Sequence, residues 1–103
     1  MKLTADPQKF DAFQEVLVQE LIEQIRFKLA QSGISGDKLQ EITGEIAFSI
    51  ASILDDTTGM ETDGEEVHPY LTFHSGESDL VHCGENAYTY EFLNGIFKEM
   101  FER

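Results

Sequence analysis

Tryptophan is absent from this chain, cysteine occurs once, proline twice, and only seven lysines and arginines stand against twenty acidic side chains. Each shortage excludes something. With Cys83 alone, no intrachain disulfide can form, so packing must hold the fold, and a reducing, cytoplasmic setting is the simplest expectation. No stretch approaches the roughly 18 consecutive apolar residues of a membrane-spanning helix. The opening residues, MKLTADPQKF, lack the apolar segment of a signal peptide. The shortage of basic residues leaves a formal charge of −13, a field that repels nucleic acid and anionic membranes and favours a basic protein partner.

Other absences narrow the chemistry. Gly33 and Gly36 flank a helix start but lack the spacing and the lysine of a phosphate-binding loop. No Cys-x-x-Cys or His-Glu-x-x-His is present. An EF-hand alignment with Gly64 as its glycine would put Gly59 and Tyr70 at the first and last ligand positions, where carboxylates are needed. There is no strand-turn-helix elbow around Ser75 or Ser78, and Cys83 lacks the electropositive surroundings of a reactive thiolate. No cofactor and no catalytic residue are assigned.

What is present is helical periodicity. Asp6-Pro7 reads as an N-cap with proline in the first turn, opening a helix over residues 7–31 whose stripe runs through Phe10, Leu17, Val18, Leu21, Ile22, Ile25 and Leu29. Gly33 is the expected left-handed residue after its end. A short connection then leads to a second helix over residues 37–54, antiparallel to the first. Leu39, Ile42, Ile46, Ile50 and Ile53 recur at steps of three and four and are expected to face the core. Gly44, Ala47 and Ala51 form a strip of small residues beside them, suited to a close neighbour. Phe48 projects on the polar side among Glu41, Glu45 and Ser52.

Residues 55–66, DDTTGMETDGEE, carry six acids and no basic residue and read as a loop. Alternation resumes in strands at about 67–74 and 79–83, paired as a hairpin with Phe73 opposite Val81 and Leu71 opposite Cys83. A third helix follows over residues 87–102, with Tyr88, Phe92, Ile96 and Met100 on one side and Tyr90, Phe97 and Phe101 on another. The expectation is a single α+β domain over residues 1–103, ordered helix-helix-hairpin-helix (ααββα), its antiparallel two-stranded hairpin packed on the helices. Two strands make a marginal sheet, and all three helices carry wide apolar arcs. A homodimer that extends the fold is therefore expected, with Phe48 and Val16 or Phe27 at the contact.

Three functional readings follow. The first is a non-enzymatic, acidic protein-interaction domain of inhibitor, immunity or adaptor type. Its basic partner would meet Asp55, Asp56, Glu61, Asp63, Glu65, Glu66 and Phe48, since a clustered field steers association. The second is a metal- or small-ligand-binding protein using His68, His74 and His82 on one face of the hairpin, because imidazoles suit zinc and related metals. The third is a small hydrolase-like enzyme.

Overall fold

The computed structural model describes residues 1–101. It is an α+β fold of three helices and five short strands in two small sheets. The chain opens with a strand, β1 (Lys2–Ala5), before the first helix, α1 (Pro7–Gln31). Asp6 caps α1, its carboxylate accepting from the Lys9 amide at 3.1 Å, and Pro7 occupies the first turn, where no amide donor is needed. Gly33, at φ 94°, follows the end of α1, and its amide returns to the Ala30 carbonyl.

The second helix, α2 (Gly36–Leu54), turns a different face inward from the one its periodicity suggests. Thr43, Ala47 and Ala51 are its buried residues, while Ile46 is 37% and Ile53 44% exposed. The reason is distance. Three helices meet along this line, α1, α2 and the C-terminal α3 (Thr89–Phe101). Small side chains let them approach, and the larger residues of α1 and α3 fill the volume. A Cβ on Gly44 would come within 3.2 Å of the Phe97 ring of α3, so glycine here lets that ring lie against α2. The core of this layer is Val18, Ile22, Ala47, Ala51, Leu93 and Met100.

Four strands separate α2 from α3: β2 (Met60–Thr62), β3 (Glu65–Val67), β4 (Phe73–Ser75) and β5 (Asp79–His82). The expected acidic loop is thus corrected. β2 and β3 form an antiparallel hairpin with Met60 opposite Val67, Glu61 opposite Glu66 and Thr62 opposite Glu65. Asp63 and Gly64 both have positive φ, 50° and 79°, as a two-residue hairpin turn of the Asp-Gly kind requires. Val67 consequently belongs to this sheet and not to the strand placed at 67–74, which shrinks to β4.

The remaining hairpin keeps its expected register, with Phe73 opposite Val81 and a three-residue turn at Gly76, Glu77 and Ser78. It is not two-stranded. β1 adds to it in parallel, giving the order β1-β5-β4, with Leu3 beside Leu80 and Thr4 beside Val81. Phe10 of α1, fully buried, covers this sheet with Val81 and Ala87, its ring 5.4 Å from that of Phe73. The expected helix over residues 87–102 begins two residues later, at Thr89; residue 102 lies outside the described residues.

The molecule is flat, 44 × 36 × 21 Å, with a radius of gyration of 15.5 Å. A globular chain of this length would have a radius of about 13 Å. No described helix is long and apolar enough to cross a membrane.

Candidate functional site

The acidic residues singled out by sequence divide into two groups with different work. Asp55, just past α2, is buried. Its carboxylate accepts from the Thr89 amide at 2.8 Å, the Thr89 hydroxyl at 2.7 Å and the Tyr90 amide at 3.1 Å. These amides open α3, so Asp55 caps a helix that begins 34 residues later, and its charge sits where the helix dipole favours it. It is removed from the surface set to which sequence reasoning assigned it.

Asp56 adopts a left-handed conformation, φ 61°. It meets Nδ1 of His68 at 2.9 Å, while Glu66 meets Nε2 of the same ring at 3.1 Å. Only an imidazolium donates from both nitrogens. The bond to Asp56, then that to Glu66, accordingly raises the His68 pKa above its ordinary value. This clamp ties the end of α2 to the β2–β3 hairpin, which packs little on any other element.

Glu61, Asp63, Glu65 and Glu66 are exposed on that hairpin. Glu61 and Glu66 are direct cross-strand partners, and like charges so placed repel. The hairpin also has an apolar shoulder. Met60 lines two depressions, one of about 350 Å³ with Gly59, Glu61, Glu66 and His68, and one of about 420 Å³ with Phe48, Ser49, Ser52, Ile53 and Thr58. On its other side Phe48 borders a third depression, of about 260 Å³, with Tyr90. Phe48 and Tyr90 are 55% and 52% exposed. Phe48 therefore stands beside the acidic hairpin, as the partner-binding reading needs. Ile53, Met60 and Tyr90 join it without having been read as site residues. Met60 was legible as the one large apolar residue inside an acidic run; Tyr90 arrives only through the α2–α3 contact.

The wider field is one-sided. Between Lys38 and Lys98 the chain carries twelve acids and no lysine or arginine, so among the described residues no such cation belongs to α2 beyond its third residue, to the hairpins or to the start of α3.

The histidines do not converge. His68 is held in the clamp just described. His74 pairs with Leu80 in the β4–β5 ladder and shares a sheet face with His82, two residues beyond Leu80. Nδ1 of His82 accepts from the Gly84 amide at 3.1 Å and lies 2.6 Å from the Tyr70 hydroxyl, so that nitrogen is already engaged. Among the described residues no group of three histidine, cysteine or acidic side chains is placed to hold a metal ion. The Cys83 thiol donates to the Glu85 carbonyl at 3.1 Å. Tyr88 donates to Asp11, a bond that, with burial, pushes the phenol pKa far up.

Compared with protein-family models, with curated proteins and with solved structures, the chain matches none.

Proposed function

We propose that the protein is an acidic interaction domain whose β2–β3 hairpin and the adjoining end of α2 receive a basic segment of another protein. The carrying observation is the pairing of Glu61 with Glu66 across the hairpin, next to the depression lined by Phe48, Ile53 and Met60. Opposed carboxylates repel one another; Glu66 has His68 as a counter-charge, so a lysine or arginine placed beside Glu61 relieves what remains of that repulsion. The apolar depression beside them offers an anchoring site for a neighbouring side chain of the same segment. Phe48 is 55% exposed, so covering the remainder is worth about 1–1.5 kcal/mol. The charges govern encounter rate and its salt dependence more than final affinity.

A charge-matched pair of variants tests this reading. One carries Glu61→Gln, Asp63→Asn, Glu65→Gln and Glu66→Gln. The other carries Glu15→Gln, Glu20→Gln, Glu77→Gln and Glu85→Gln, exposed positions elsewhere. A partner captured by the wild-type protein is expected to be basic, to be lost by the hairpin variant and by Phe48→Ser, and to be kept by the second variant. Equal retention by both charge variants refutes the site.

A further inference from the structure

The most regular apolar stripe in the chain belongs to neither core cluster. Leu39, Ile42, Ile46, Ile50 and Ile53 are all aliphatic, all half-buried or exposed, and none joins the packed groups around Val18 or Phe10. The stripe spans about 21 Å of α2. Its spacing has a symmetry: measured from Ile46, the other four lie at −7, −4, +4 and +7. Such a stripe is its own complement when two helices run antiparallel across a two-fold axis. Ile46 then meets Ile46, Ile42 meets Ile50, and Leu39 meets Ile53, apolar against apolar at every level.

From this we propose that two copies of the chain associate through α2, antiparallel, with the two-fold axis at Ile46. The shape of the molecule agrees. Its accessible surface, 6773 Å², exceeds by roughly 900 Å² that typical of a monomer of this mass. A standard interface covers about 800 Å² on each partner. Steps of three and four residues along one face, here three, four, four and three, are those of a seam between two helices, and the seam leaves Phe48 free, since Phe48 lies about 200° around the helix from Ile46. The dimer contact is thus assigned to the aliphatic stripe, while Phe48 and Met60 remain with the acidic site and Ile53, at the end of the stripe, borders both. Both copies carry −13, with Glu41 and Glu45 on the same helix, so added salt tightens this association, whereas it weakens binding of a basic partner.

Cross-linking tests the geometry in the full chain with Cys83→Ser, which retains a donor for the Glu85 carbonyl. Ile46→Cys is expected to link to itself on oxidation. Ile42→Cys and Ile50→Cys each link poorly alone, and an equimolar mixture of the two links efficiently. Self-linking of all three with equal yield indicates parallel helices and overturns the proposal. Sedimentation supplies the second readout. The wild-type protein is expected to form dimers at roughly 100 µM, more so at high salt, and Ile46→Asp to weaken them about tenfold or more while its circular dichroism is unchanged. A wild-type protein that sediments as a monomer at that concentration in both salts, or an Ile46→Asp variant that dimerises equally well, overturns it. Capture of a basic partner by Ile46→Asp at the wild-type level bears on the acidic site alone, so the two proposals fail separately.

Discussion

Replacing Asp55 with alanine removes one acceptor from three donors at once. The Thr89 and Tyr90 amides lose their partner and the Thr89 hydroxyl keeps only the Ala51 carbonyl at 3.4 Å, where Asp55 and Thr89 are both buried. Loss of an N-cap costs about 0.5–2 kcal/mol, and a hydrogen bond to a charged group is worth about 1.5–3 kcal/mol. The three bonds share one carboxylate, so their values do not add. The expected loss is about 2–4 kcal/mol, a large part of the roughly 5–15 kcal/mol that holds a domain together. With a urea slope of about 1–2 kcal/mol/M, the midpoint falls by roughly 1–4 M with the slope unchanged. Asp55→Asn retains one oxygen and is expected to fall between. The reference is Glu61→Ala on the exposed hairpin, expected to change stability by under about 0.5 kcal/mol or to stabilise slightly, since it relieves Glu66. If Asp55→Ala and Glu61→Ala behave alike, the trans-capping argument is wrong.

Other perturbations separate further parts of the account. The His68 clamp holds the hairpin most strongly when the ring is charged. Because the folded-state pKa is raised, its contribution is fully present below the unfolded value of about 6.5 and is lost as pH rises through the folded value. His68→Gln should therefore loosen the β2–β3 amides, read by hydrogen exchange, more at pH near 6 than at pH near 9. Ala47→Asp places an unpaired charge among three helices and is expected to abolish folding, while Ile46→Asp, half in water, keeps the fold. Phe10→Ala removes the ring that joins α1 to the β1-β5-β4 sheet and should cost about 3–5 kcal/mol by urea denaturation.

The comparison of Ala47 with Ile46 shows how much of the fold the sequence made legible. Local signals read well: the Asp6-Pro7 start of α1, the left-handed Gly33 after it, and the Phe73–Val81 pairing. The facing of α2 did not, because periodicity reports that a stripe is apolar and not what covers it. Here three helices converge on Thr43, Ala47 and Ala51, and close approach favoured small side chains over the more hydrophobic isoleucines. β1 was invisible for a different reason. Four residues, Lys2 to Ala5, carry no alternation to speak of, and their parallel partner lies some 77 positions away. The β2–β3 hairpin was legible in Asp63-Gly64, but the run of acids around it reads as a solvated loop when charge is weighed before turn chemistry.

The candidate site was legible to a similar degree. Phe48 and the hairpin acids stand side by side, but Asp55 was grouped with them on charge alone, since nothing local in Asp55-Asp56 distinguishes a buried cap from an exposed acid. The division depends on Asp56 taking φ 61° and on α3 arriving with free amides, both outcomes of tertiary structure. His68, His74 and His82 alternate suggestively along the chain, but the strand expected to align them ends in one sheet at Val67 and resumes in another at Phe73.

The most direct test of the central claim, that the hairpin and Phe48 form the docking surface for a basic partner, is the association rate of that partner with the two charge-matched variants at low and high salt. Four neutralised acids on the hairpin should slow association several-fold at low salt and flatten its salt dependence, while four neutralised elsewhere leave both close to wild type, because screening over about 8 Å makes a cluster act where scattered charges do not. Equal slowing by both sets would show that net charge alone governs encounter, and the hairpin would then be no docking surface.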